Sequence, residues 1–208
     1  MKLLKGIYPA LKIKENVSIV GSSSNMIGKK YASLIDSADE VIRFNRAPTK
    51  GWEKHVGKKC TLRIVNHHTF ANARPDYKRL TKKGNPQNFV RNLRNQRIIV
   101  GNSNAQGRWE RRDQYTHPSC ESFYIQVPPR RRLKKKYHLP KPPSIGLIGI
   151  YLIISNGIVP NVFGFGVGEG NMTHYWEKRS PKTPCHNFSP ERETLKLWHK
   201  KGWIKLYL

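Results

Sequence analysis

The chain has 208 residues, enough for one compact domain with a single substantial core. Its 39 Lys and Arg against 13 Asp and Glu leave a formal net charge of +26, which favours anionic partners and salt-dependent, non-specific binding to polyanions. A hydrophobic fraction of 37% excludes a wholly disordered chain. The longest apolar run, 145–155, is too short to cross a bilayer, and the first 15 residues are too charged for a signal peptide. The expectation is therefore either a soluble minimal protein without a membrane anchor, with an intracellular location favoured, or a fragment missing its start.

Taken in order, Val17-Ser18-Ile19-Val20-Gly21 reads as a strand. The polar turn Ser22-Ser23-Ser24-Asn25 follows, and a helix is expected over about 26–36. Val41-Ile42-Arg43-Phe44 and Leu62-Arg63-Ile64-Val65 are two more strands, the first ending in Asn45-Arg46-Ala47-Pro48-Thr49. This is a βαβ beginning with polar groups at strand ends, where open α/β sheets bind ligands. No glycine lies between Gly21 and Gly28, so the dinucleotide fingerprint fails and NAD is not supported.

Residues 66–96 read as loop with one helix at most. Strands are expected at 97–100 and 123–127. The stretch 127–143, rich in Pro and basic residues, reads as an exposed connection. Its run Arg130-Arg131-Arg132-Leu133-Lys134-Lys135-Lys136 has two readings of equal weight: a solvated face, or a patch for a nucleic acid, an acidic glycan or a lipid surface. Residues 146–155 then form a buried helix ended by Gly157, and 161–165 a strand. Ser189-Pro190-Glu191 reads as a helix start, with Gly202 as its stop and 203–207 as a closing strand. Strands alternating with helices imply an α/β fold, a single Rossmann-like domain with a mostly parallel sheet between helices. Cys60, Cys120 and Cys185 lack zinc-type spacing, and no DxD occurs.

The segment 17–66 resembles the large sialylmotif of eukaryotic-type sialyltransferases, glycosyltransferase family 29. Ile35-Asp36, Asp39, Val41, Arg43, Asn45, Ala47-Pro48-Thr49, Gly51-Trp52 and Val56-Gly57 fall in register. Pro143-Ser144-Ile145-Gly146 with Val162-Phe163-Gly164-Phe165-Gly166 is similar to the small motif, His174-Tyr175-Trp176-Glu177 to the third, and His186 with Glu191 to the very small motif. The resemblance covers about 17–191 and implies a variant GT-A-type catalytic domain.

It further implies an inverting transfer of sialic acid, or a related keto-sugar acid, from a CMP (cytidine monophosphate) donor to a glycan hydroxyl without a metal. His186 is then the general base and His174 the group facing the departing phosphate. Ser22, Asn25, Asn45, Ser144, Gly146, Gly164 and Gly166 bind the donor. Tyr175 and Glu191 support them, Glu191 either by orienting His186 or simply as a helix-start acid. Ile145 replaces the motif's usual hydroxyl residue. The family's motif-linking disulfide would fall at Val17 and about Gly157, so it cannot form here. Two other readings compete: a basic nucleic-acid-binding module, and a degenerate relative that binds a nucleotide sugar without transferring it.

Overall fold

The structure is a computed structural model that describes residues 1–66, 96–101, 120–125, 129–166, 174–176 and 188–208. Among these, eight strands form one sheet in the order β10-β9-β4-β5-β6-β7-β8-β2. The strands are β2 (Ile7–Tyr8), β4 (Val17–Val20), β5 (Glu40–Phe44), β6 (Leu62–Asn66), β7 (Arg97–Gly101), β8 (Glu121–Ile125), β9 (Asn161–Phe163) and β10 (Lys205–Tyr207). Every pairing is parallel except that of β2 with β8. Two short strands, β1 (Lys2–Leu3) and β3 (Lys12–Ile13), pair antiparallel beside the sheet.

Parallel strands are covered on both faces, so their sequences are apolar runs rather than alternating ones. All of β4 and β5 is buried, as is β6 up to its last residue. Helix α4 (Ile145–Ser155) lies against β6 and buries Leu147, Ile150 and Ile153 completely. Ser144 caps it by accepting the Leu147 N–H at 3.2 Å, and Gly157 ends it with φ +70°. Helix α5 (Phe188–Lys200) packs through Leu195 and Trp198 and leads by way of Gly202 into β10.

Three local expectations are revised. The span expected to be one helix over 26–36 is a 3₁₀ turn, Ser24–Met26, and a six-residue helix α1 (Ala32–Ser37), because Gly28 at φ +80° breaks the run. A short helix α2 (Glu53–Val56) follows the turn after β5. The basic stretch expected to be an exposed connection contains helix α3 (Pro129–Lys136). It forms because Leu133 is fully buried in the main core, while Arg131, Arg132, Lys134, Lys135 and Lys136 remain exposed. The strand expected over 123–127 runs from Glu121 to Ile125, its last two residues lying outside the described ones.

Two motif residues act as braces. Asp36, at the end of α1, accepts the Lys58 N–H at 2.9 Å and the Lys59 N–H at 2.9 Å. Arg43, fully buried on β5, donates to the carbonyls of Val56 (2.7 Å), Gly57 (3.2 Å) and Lys59 (2.8 Å). Burial lowers the Arg43 pKa from its ordinary value. Gly57 sits between the braces at φ +72°, where a Cβ would stand 2.5 Å from Asp36 Oδ1. This turn sets the entry of β6. Asp36→Ala is expected to lower stability by about 2 kcal/mol, the scale of charge-assisted hydrogen bonds lost at a half-buried carboxylate, read as a lower urea midpoint with unchanged slope.

Candidate active site

The strand order reverses between β4 and β9. The chain runs outward from β4 to β5, β6, β7 and β8 on one side, and β9 and β10 return on the other. At such a switch point the loops leaving the carboxyl ends diverge and open a crevice. Gly21 follows β4 and Gly164 follows β9. The Gly21 N–H donates to Phe163 O at 2.7 Å, and the Ser23 N–H to Gly164 O at 2.9 Å. A Cβ on Gly21 would stand 2.2 Å from Gly164 O, so only glycine permits this approach.

The third motif closes on the same place. Ser23 and His174 form an isolated antiparallel bridge, and the Tyr175 N–H donates to Ser22 O at 3.0 Å. Ser22, Gly164, His174 and Tyr175, far apart in sequence, thus meet at one corner. His174 is exposed and stacks on Trp176 with centroids 4.5 Å apart and planes 6° from parallel. Tyr175 is buried, packs edge-on against Trp52 at 5.5 Å, and its hydroxyl donates to Pro48 O. It therefore fastens the third motif to the turn after β5. Burial pushes its pKa up to about 12, against the opposing pull of Arg43 and Arg63.

Asn45 stands at the carboxyl end of β5, two strand spacings or roughly 10 Å from the β9 loop. Its backbone is left-handed, φ +44°. Its Oδ1 accepts the Asn66 N–H at 2.9 Å, which fixes the amide and leaves its NH₂ as a donor. Arg63, buried on β6, holds the turn by donating to Asn45 O at 2.8 Å and Ala47 O at 3.2 Å. Arg63 and Asn66 were not singled out from sequence. A cation inside an otherwise apolar parallel strand was the available signal, since such a residue must find carbonyl partners.

The amino end of α4 meets the β9 loop at Phe165. A Cβ on Gly146 would lie 2.7 Å from the Phe165 ring, which itself packs edge-on against Phe44. Glu191, buried in the first turn of α5, accepts the Ser144 N–H at 2.7 Å and the Ser144 Oγ–H at 2.5 Å. The small and very small motifs are joined by this carboxylate. Gly166 has φ +63°, and Asn25 carries a buried Oδ1 with no hydrogen-bond partner among the described residues. His186 lies outside the described residues. No three His, Cys, Asp or Glu side chains among the described residues come together as a metal site.

A mostly parallel α/β sheet with its strand reversal at β4 and β9 defines a Rossmann-like fold, whose carboxyl-edge crevice is where such sheets bind ligands. Residues 13–104 match the model of Glycosyltransferase family 29 (sialyltransferase). The chain is 29% identical over 187 residues to the Gallus gallus beta-galactoside alpha-2,6-sialyltransferase 2, covering 77% of this chain and 33% of that protein. It is 27% identical over 179 residues to the Mus musculus CMP-N-acetylneuraminate-beta-galactosamide-alpha-2,3-sialyltransferase 1, covering 77% and 48%. The crystal structure of a mammalian sialyltransferase shares the fold with a TM-score of 0.60 at 21% identity, over 92% of this chain and 68% of that one. The chain is thus similar to glycosyltransferase family 29 proteins over 13–104, and it spans about a third to a half of the length of these curated relatives. No helix among the described residues is long and apolar enough to cross a membrane.

Two variants test the corner. Tyr175→Phe is expected to cost about 1 kcal/mol through the lost bond to Pro48. It also changes the alkaline limb. The phenol ionises near 10 when unfolded and at about 12 when folded, so its share of stability is present below pH 10 and lost as pH rises toward 12. Denaturant titrations at a series of alkaline pH values should show that decline in the native protein and a smaller one in Tyr175→Phe. Glu191→Ala should cost about 2 kcal/mol by freeing the Ser144 N–H and hydroxyl, measured by thermal unfolding.

Proposed function

We propose that the chain is the catalytic core of a sialyltransferase. It moves sialic acid, or a related keto-sugar acid, from a CMP donor to a glycan hydroxyl with inversion at the anomeric carbon. The observation that carries this reading is the junction of Ser22, Ser23, Gly164 and His174 at the switch point. Three of the four motifs meet there or one strand away, with an exposed imidazole at the mouth.

The donor's nucleotide and phosphate lie along the carboxyl edge. The Asn45 amide, held by Asn66, gives a fixed donor to phosphate or ribose. Ser22 and Asn25 line the turn after β4. Gly164 and Gly166 bring backbone close to the base, and Gly146 does so at the amino end of α4. The Ser144 hydroxyl is engaged by Glu191 and Leu147, so it orders α4 as well as the ligand. His174 donates to the phosphate as the glycosidic C–O bond breaks and negative charge grows on the leaving oxygen.

His186 takes the proton of the acceptor hydroxyl as that oxygen attacks the anomeric carbon from the opposite face. An imidazole suits this task because it titrates near neutral pH. Glu191 lies five residues later, and its bonds to Ser144 bring the first turn of α5 to the edge where the donor binds. As the family resemblance implies, the transfer needs no divalent ion.

The test is CMP release from CMP-sialic acid, with and without a galactose-terminated acceptor, in the presence of a chelator. Acceptor-stimulated release should persist with chelator. It should fall by about 10²–10⁴ in His186→Ala and by about 10²–10³ in His174→Ala. Equal turnover in native protein and His186→Ala would remove His186 as base, and absence of CMP binding would overturn the donor assignment.

A further inference from the structure

The cations of α3 take no part in the proposed transfer, and they do not stand alone. Residues 129–141 contain seven Lys and Arg and no acid, and residues 196–208 contain four Lys and no acid. Tertiary packing brings these segments together. Leu133 and Trp198 share the main core, and the Tyr137 ring packs edge-on against Trp198 at 5.5 Å. The Lys136 Nζ then lies 5.9 Å from the centre of the Trp203 ring, and the Lys201 Nζ 4.9 Å from it. Lys200, Lys201 and Lys205, all within three residues of Trp203 in sequence, are exposed, as are Arg131, Arg132, Lys134 and Lys135 along α3.

Trp203 is 37% exposed, although an indole ordinarily goes inside. Leu197, one helical turn before Lys201, is 40% exposed. Trp203 stands just ahead of β10, whose first residue pairs with the first residue of β9. It therefore marks the amino edge of the sheet, whereas the Gly21–Gly164 junction marks the carboxyl edge.

We infer that the α3–Trp203 corner is a docking surface for an anionic lipid bilayer, which it meets with the carboxyl edge of the sheet turned away. Charge complementarity requires an anionic partner. The aromatic chooses among them. Lysines lie over the Trp203 π-system, which a nucleobase would need free for stacking. An indole among lysines and an exposed leucine is instead suited to the headgroup layer. There the ring sits between polar and apolar phases, and lysine stems lie on the apolar surface with their ammonium groups among lipid phosphates. Each lysine near an anionic leaflet contributes about a fivefold gain in binding.

The experiment is co-sedimentation of the full chain with vesicles of phosphatidylcholine alone and with about 30% phosphatidylserine, at about 0.1 M salt where electrostatic attraction still acts. The native chain should bind the anionic vesicles and not the neutral ones. Lys136→Glu/Lys201→Glu should weaken binding by at least about 25-fold, two lysines at about fivefold each. Lys29→Glu/Lys50→Glu, which removes the same net charge elsewhere, should weaken it by less. Trp203→Ala keeps every charge and should still weaken binding several-fold. Thermal unfolding of each variant verifies its fold. Three results would overturn the proposal: equal loss in the two charge-reversed pairs, no effect of Trp203→Ala, or release of the protein from vesicles by equimolar duplex DNA.

Discussion

Everything at the carboxyl edge depends on one close backbone approach. Gly21 and Gly164 come so near that any side chain on Gly21 would overlap a carbonyl oxygen. That approach lets the loop after β4 bond to the loop after β9, which turns a strand reversal into a defined corner. Ser22 can then present its carbonyl to Tyr175, and Ser23 can pair with His174. The site is thus built largely from main-chain bonds, which are directional and satisfied on both sides, and its side chains decorate a frame that is already rigid.

A second tier of buried polar groups holds that frame in register. Arg43 and Asp36 grip the turn before β6, Arg63 grips the turn after β5, and Glu40 pairs with Arg97 while accepting the Thr61 hydroxyl. Buried charges are costly unless their hydrogen bonds are made, so each admits few alternative arrangements of the backbone it serves. Much of the large motif is therefore architecture. Asp36, Arg43 and Gly57 position the chain that positions Asn45. They carry a motif's regularity without needing to touch a substrate.

Strands β4, β5 and β6 were legible because both signals there are local. Apolar runs of four to five residues mark β4, β5 and β6, and the motif spacing fixes which polar residue follows each strand. Helix α4 was legible for the same reason. Helix α3 was not. One leucine among six cations has no helical periodicity, and only the docking of Leu133 and Tyr137 against the α5 layer makes that stretch a helix. Glycine at 28 cut the expected helix over 26–36 short, an effect of backbone conformation that composition did not reveal.

Sequence alone determined the parallel α/β class, the strands around the switch point, and the residue types offered for chemistry, because each rests on neighbours along the chain. Tertiary structure decided their company. It bound Glu191 to Ser144 across 47 positions, fastened Tyr175 to Pro48 across 127, and set Lys136 beside Trp203. The reason is physical. Such contacts depend on how far strands and helices are carried past one another when apolar faces close, and no local preference encodes that distance.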